Sequence, residues 1–270
     1  MKIIVLVKQV PDTTDVKMDP KTGNLIRTGL TSIINPDDTH ALEAAVSLKE
    51  IHGGKVTVVS MGPPQAVDVI TEALGLGADN GVLLSDPAFA GADTWATSFT
   101  LGKAIEKIGN YDLIICGRQA IDGDTAQIGP QVADYLNIPQ VSYVSEIENA
   151  GETDITVKRR LEDGFEQIKC RLPALFTVIG EINAPRYPHL GNLIGGCAEK
   201  APIKIWNAAD IGVKTAQVGL EGSLTHVIKT FVPKMRRKIE VLEGTKEEVV
   251  GRLFQKLSQS DGISTFPKFF

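Results

Sequence analysis

The densest run of residues able to hold a charged ligand is Gly117-Arg118-Gln119-Ala120-Ile121-Asp122-Gly123-Asp124-Thr125-Ala126-Gln127-Ile128-Gly129-Pro130-Gln131. Gly117 and Gly123 let backbone approach a ligand closely. A helix is expected to begin near Thr125, whose hydroxyl can cap it. The free N–H groups of its first turn, around Ala126, Gln127, Ile128 and Gly129, would then meet an anion with the positive end of the helix dipole. Gln127 and Gln131 fall on one helical face and offer amides. This is the chemistry of holding a phosphate, and a nucleotide is the ligand it suits. The same residues also read as a plain helix start capped by Asp122, Asp124 and Thr125. A calcium loop beginning at Asp122 would need a glutamate where Ala133 stands, so an EF-hand is excluded.

Three shorter stretches converge on the same crevice. Asn35-Pro36-Asp37-Asp38 is a helix start whose polar groups, Asn35 and Asp38, could also read an adenine and ribose. Met61, in Met61-Gly62-Pro63-Pro64, ends a strand nearby. Val7-Lys8-Gln9-Val10-Pro11 leaves the first strand toward the same place. Catalytic signatures are missing: there is no G-x-S-x-G, H-E-x-x-H or P-loop. His40, His52, His189 and His226 are scattered and suggest no metal cluster. Gly75-Leu76-Gly77 with Gly81 precedes a strand rather than following one, so it is rejected as a dinucleotide fingerprint. No catalytic acid or base is named.

The elements that would position these loops are short, β-branched strands alternating with amphipathic helices. Ile3–Val7, Val56–Val59, Val82–Leu84 and Leu113–Cys116 are nearly continuous in apolar character, as strands covered on both faces are. Between them, Ala41, Leu42, Ala45, Val46 and Leu48 line one helical face, opened by Asn35-Pro36-Asp37 and closed by Gly53-Gly54. Further helices are expected from about Gln65 to Leu76, Thr94 to Ile108, and Thr125 to Asn137. Repeated strand–helix–strand units imply a doubly wound, mostly parallel α/β sheet of the adenine-nucleotide-binding type. With the common order 3-2-1-4-5, the loops after Val7 and Cys116 face one another across the switch point where such sheets bind ligands.

Val16–Met18 and Asn24–Arg27 flank a turn and predict a hairpin on the first loop. From Val141 to Ile179 the pattern turns strand-rich, around the turn Glu162-Asp163-Gly164, and predicts an antiparallel addition to the sheet edge. After Gly180 no sustained apolar period remains except in a helix over Lys246–Leu257. The expected division is residues 1–183 as the α/β domain and 184–270 as an extended arm embracing a partner, or a tail packing back on its own domain.

Composition bounds the rest. The chain of 270 residues is 43% hydrophobic and 23% charged, ordinary for a globular protein, and its net charge of −5 argues against nucleic-acid binding. Cys116, Cys170 and Cys197 have no C-x-x-C spacing, which points to neither disulfides nor a zinc site but to a reducing cytoplasm. No signal sequence is expected at Met1–Lys8, and no segment approaches the roughly 20 apolar residues of a membrane span. The basic run Lys234–Lys238 reads as a solvated stretch or partner contact.

Taken together, K-Q-V-P-D at Lys8–Asp12, N-P-D-D at Asn35–Asp38, S-M-G-P at Ser60–Pro63, the Gly117–Pro130 run, R-x-L-E-D-G at Arg159–Gly164 with Pro173, and A-P-R-Y-P at Ala184–Pro188 resemble the beta subunit of electron-transferring flavoproteins over nearly the whole chain. The resemblance implies a heterodimer with a larger, FAD-binding alpha subunit, and a nucleotide in the crevice. In simple carriers of the family that nucleotide is AMP; in electron-bifurcating members it is a second FAD that accepts hydride from NADH. The likeness also implies that the segment carrying Tyr187, Leu190 and Leu193 docks onto acyl-CoA dehydrogenase, with ferredoxin or flavodoxin as a further acceptor. Where simple carriers carry an acidic run, this chain has Asp122-Gly123-Asp124-Thr125. Loss of bulk and charge there suits a larger, dianionic ligand, so the expectation is FAD rather than AMP. A universal-stress-type ATP sensor on a similar fold is the alternative of a different class; the long arm speaks against it.

Overall fold

The computed structural model describes residues 1–12, 31–229 and 240–258, and the chain divides into two compact units, Met1–Ile228 and Lys229–Phe270. In the first unit β1 (Lys2–Leu6) is buried from Ile3 onward. It leads into β2 (Gln9–Pro11), which pairs antiparallel with β3 (Ser32–Ile34). The predicted hairpin arms, Val16–Met18 and Asn24–Arg27, lie outside the described residues.

From there the alternation proceeds as the apolar periods require. α1 (Pro36–His52) has proline in its first turn with Asp37 and Asp38 toward the dipole's positive end, and stops at Gly53, whose φ of 67° only glycine adopts freely. β4 (Lys55–Met61), α2 (Val67–Gly75) and β5 (Asn80–Leu84) follow. α3 (Thr94–Ile108) is capped by Asp93, whose carboxylate accepts from Ala96 N–H at 2.9 Å. β6 (Leu113–Gly117) is wholly buried, and α4 (Ile128–Tyr135) is the next helix. That helix begins three residues later than Thr125, because Asp124 and Ala126 have φ of 53° and cannot belong to a right-handed turn. Gln127 is its N-cap and Thr125 is not.

β7 (Gln140–Ala150), β8 (Asp154–Arg160), β9 (Phe165–Arg171) and β10 (Ala174–Val178) complete most of the sheet, and α5 (Leu190–Gly196), β11 (Ile203–Trp206) and the single turn α6 (Gly219–Gly222) come after them. The sheet has nine strands in the order β11-β5-β4-β1-β6-β10-β7-β8-β9. Five central strands therefore follow the expected 3-2-1-4-5 order, with β10 as the fifth. The expected edge addition is corrected in one respect. Leu175-Phe176-Thr177-Val178 is an interior strand, parallel to both β6 and β7, and only β8 and β9 run antiparallel to their neighbours. All five residues of β10 are buried, which an edge strand would not allow.

β1 shows how the two faces are filled. Ile3 and Val5 point into one core with Leu42 and Val46 of α1 and Ile70 of α2; Ile4 and Leu6 point into the other with Leu101 and Ile105 of α3 and Val132 of α4. The compact unit continues past residue 183 as far as Ile228. β11 adds a parallel strand beside β5, and Ala208, Ile211, Val213 and Val218 pack singly into the existing core, so no periodicity of their own is needed. In the second unit α7 (Lys246–Ser258) is amphipathic and has no buried residue; Val250, Leu253 and Phe254 are exposed. No described helix is long and apolar enough to cross a membrane.

Candidate functional site

β1 and β6 are parallel neighbours in the middle of the sheet, and the connection direction reverses between them. The loops that leave their carboxyl ends form the two rims of a crevice, as expected at such a switch point. On one rim Val7 is buried and its N–H donates to Val59 O at 3.0 Å. Lys8 reaches across the crevice, its Nζ 2.7 Å from Asp122 Oδ1. Gln9 donates from Nε2 to Gln65 O at 3.2 Å, and Met61 lies partly buried against the core.

The other rim is shaped by its backbone. Arg118 N–H donates to Val178 O at 2.8 Å, which holds the first residue of the loop to β10. Asp124 N–H then bonds Ala120 O at 2.9 Å to close a turn, and Gln119 Nε2 donates to Asp124 Oδ1 at 2.5 Å. Asp122, Gly123, Asp124 and Thr125 are exposed. Left-handed φ at Asp124 and Ala126 bends the chain as in the anion-binding concavities formed by successive N–H groups. Among the described residues, the backbone N–H groups of Thr125, Ala126 and Gln127 meet no acceptor, and those of Ile128 and Gly129 open the first turn of α4. A phosphate-bearing ligand is what such donors fit. Nothing lies within 4 Å of a Cβ placed on Gly123, so that position faces open space.

Gln127 and Gln131 point at α3 rather than at the rim's donors. Thr94 Oγ1 donates to Gln127 Oε1 at 2.8 Å and Ser98 Oγ to Gln131 Oε1 at 3.0 Å. Gly129 lets α4 lie close on the sheet, since a Cβ there would come 2.4 Å from Thr177 Cγ2. Both helix-side glutamines thus fix where α4 starts.

Asn35 and Asp38 are brought to the crevice but spend their side chains on backbone. Asp38, buried, accepts from Lys8 N–H through Oδ2 and from Gly117 N–H through Oδ1, each at 2.9 Å. Asn35, with no exposed surface, donates to Gln119 O at 2.9 Å and accepts from Ile121 N–H at 3.0 Å. Burial pushes the Asp38 carboxyl up to about 7, against the lowering effect of the Lys8 N–H, the Asn35 side chain and the Gly117 N–H; the neighbouring Asp37 charge raises it further. Burial likewise pushes the Cys116 thiol far up, with Asp38 adding to the effect, so it is an inert core group.

Two features beside the crevice carry no sequence signal of the usual kind. Tyr143 has φ of 60°, uncommon for an aromatic residue, and the Arg118 guanidinium lies over its ring at 5.6 Å. Arg118 Nε also sits 3.7 Å from Asp37, an ion pair without a hydrogen bond. These groups line a cavity of about 630 Å³ together with Arg159, Arg160 and Glu162 of the R-x-L-E-D-G motif.

Tyr187, Leu190 and Leu193 are positioned apart from the crevice, on α5 and the segment before it. Tyr187 is 95% exposed and Leu190 70%, whereas Leu193 is turned inward onto α2, where a Cβ on Gly75 would collide with it. The segment is pinned by Arg186, which donates to Glu43 (Nε 2.8 Å, Nη2 2.9 Å) and to Glu50 (Nη1 2.5 Å, Nη2 3.0 Å). Burial opposes ionisation of Glu43, but the bonds from Arg186 outweigh it and hold the carboxyl below the usual range. Glu43 and Glu50, two helical turns apart, were a legible sign of such a clamp.

A doubly wound α/β protein with its ligand crevice at the β1/β6 switch is the class that this sheet order defines. Residues 22–211 match the family described as the electron transfer flavoprotein domain. The chain is 51% identical over 258 residues to an electron transfer flavoprotein subunit beta of Thermoanaerobacterium thermosaccharolyticum, spanning 96% of this chain and 98% of the relative. It is 49% identical over 261 residues to the caffeyl-CoA reductase-Etf complex subunit CarD of Acetobacterium woodii (96% and 98%), and 44% over 244 residues to protein FixA of Azorhizobium caulinodans (87% and 86%). The chain belongs to the electron transfer flavoprotein family, among its beta subunits.

Proposed function

We propose that this chain is the nucleotide-holding half of an electron-carrying heterodimer of the bifurcating type, with FAD in the β1/β6 crevice. The observation that carries the reading is the run of N–H donors from Thr125 to Gly129 at the mouth of that crevice, faced by the Lys8 ammonium. When bound, FAD supplies hydride acceptance from NADH and electron release. The chain's own residues do the rest: the 125–129 backbone and Lys8 hold phosphate charge, Arg118 stays oriented by Asp37 and Tyr143, and the open space at Gly123 admits bulk.

The larger alpha subunit is the partner. The second unit supplies much of the contact with it, and the exposed apolar face of α7 suits that role. Tyr187 and Leu190, with Leu193 as the inward prop, present the surface for an acyl-CoA dehydrogenase, and ferredoxin or flavodoxin takes the low-potential electron. The complex works in the cytoplasm. Likeness to the caffeyl-CoA reductase-Etf subunit supports an acyl-CoA-linked role.

Cofactor content tests this. The chain is copurified with its large partner, flavin is measured by absorbance after denaturation, and AMP by chromatography. Two FAD per heterodimer supports the reading. One FAD with one AMP makes the protein a single-flavin carrier and removes NADH from its chemistry.

A further inference from the structure

Asn35 and Asp38 look like ligand-reading residues in the sequence, yet neither side chain is free to read one. Asn35 and Asp38 sit at the N-terminus of α1, and their bonds run to both rims: Asn35 N–H to Lys8 O at 2.9 Å, Lys8 N–H to Asp38, Gly117 N–H to Asp38, Ile121 N–H to Asn35, and Asn35 Nδ2 to Gln119 O. We propose that Asp38 is the positioning residue of the crevice, a single buried carboxyl that fixes the backbone of both rims and so sets the opening offered to a nucleotide. The proposal rests on the nucleotide reading above and deepens it.

The geometry leaves little slack. Gly117 comes so close to α1 that a Cβ on it would lie 2.5 Å from Asp38 Oδ1 and 2.7 Å from the backbone carbon of Asp37. One carboxyl has two oxygens and each takes one N–H, from rims that are far apart in sequence. The charged and titratable groups around it are Asp37 on α1, Lys8 after β1 (itself tied to Asp122), Cys116 on β6 and Arg118 after it. Asparagine has the same shape but offers one acceptor and one NH2, so Asp38→Asn would set a donor against a backbone donor on one rim.

The test uses the heterodimer, with FAD and AMP as probes. Asp38→Asn should still form the complex while binding the resident nucleotide about tenfold or more weakly, the scale of one hydrogen bond to a charged group. In the wild-type complex, the amide resonances of Lys8 and Gly117 should shift together with pH around one midpoint near 7, and Asp38→Asn should abolish that shared titration. Unchanged nucleotide affinity in the folded variant overturns the proposal and leaves the nucleotide reading standing. Amides that titrate separately also overturn it, and this measurement needs no variant, so it decides the matter if Asp38→Asn fails to fold. A wild-type complex with neither FAD nor AMP fells the nucleotide reading itself.

Discussion

Replacing Gly117 by alanine places a methyl group where there is no room. Its Cβ would stand 2.5 Å from Asp38 Oδ1, 2.6 Å from Asp37 Cβ and 2.7 Å from Asp37 C, and two of those three atoms cannot rotate away without moving α1. Gly117 does not have a left-handed φ, so the cost is steric rather than conformational. Overpacking of this kind costs about 1–3 kcal/mol. Pushing α1 away also stretches the 2.9 Å bond from Gly117 N–H to Asp38, a loss of about 1.5–3 kcal/mol where the acceptor is charged. A combined loss of about 3 kcal/mol lowers the unfolding midpoint by roughly 6–12 °C in a unit of this size. Thermal unfolding followed by circular dichroism reads this directly, and nucleotide content of the same preparation reads the crevice. Gly123→Ala is the matched control, since its Cβ meets nothing within 4 Å and should change the midpoint by less than about 2 °C. Equal midpoints for the two variants would refute the argument that close approach to α1 is why glycine stands at 117.

Three further outcomes are expected. Arg186→Ala removes the clamp on part-buried Glu43 and exposed Glu50; loss of the Glu43 bonds should cost about 1 kcal/mol in denaturant unfolding while making the chain near Tyr187 more sensitive to limited proteolysis. Asp38 binds its proton more tightly folded than unfolded, so its contribution to stability is full below about pH 4 and is lost as pH rises through about 7. Asp38→Asn should flatten that decline, by up to about 4 kcal/mol between pH 4 and 8, in urea midpoints taken across the range. Leu190→Ser removes an exposed apolar side chain and, on the proposed function, should slow reduction or oxidation of an acyl-CoA dehydrogenase at least tenfold without changing flavin content; an unchanged rate in stopped-flow assays would remove Leu190 from the proposed docking surface.

β1, β4, β5 and β6 were legible because each is a short, nearly continuous apolar run of Val, Ile and Leu buried on both faces, a pattern few alternatives share. The place of β10 was not, since its insertion between β6 and β7 depends on pairing across the excursion through β8 and β9, which leaves no local mark. The 117–131 loop was found by its glycines and polar groups. Its start of helix was misplaced, because left-handed Asp124 and Ala126 look like ordinary residues in a capped turn. Asn35 and Asp38 were legible as residues of the crevice but not as its braces, because hydrogen bonds to residues 79 to 86 positions away depend on the folded chain. The packing of residues 184–228 was hidden for a similar reason, as single apolar residues dock on a core built by others.

One consequence follows from α1 alone. Its first turn grips the crevice through Asn35 and Asp38; further along, His40 and Asn183 share hydrogen bonds, and Glu43 and Glu50 hold Arg186 just before Tyr187. Seventeen helical residues make a stiff rod of roughly 25 Å. The crevice between β1 and β6 and the exposed segment at Tyr187 are therefore dimensioned from a single gauge bar, so an error in placing one is inherited by the other and their separation keeps a tight tolerance.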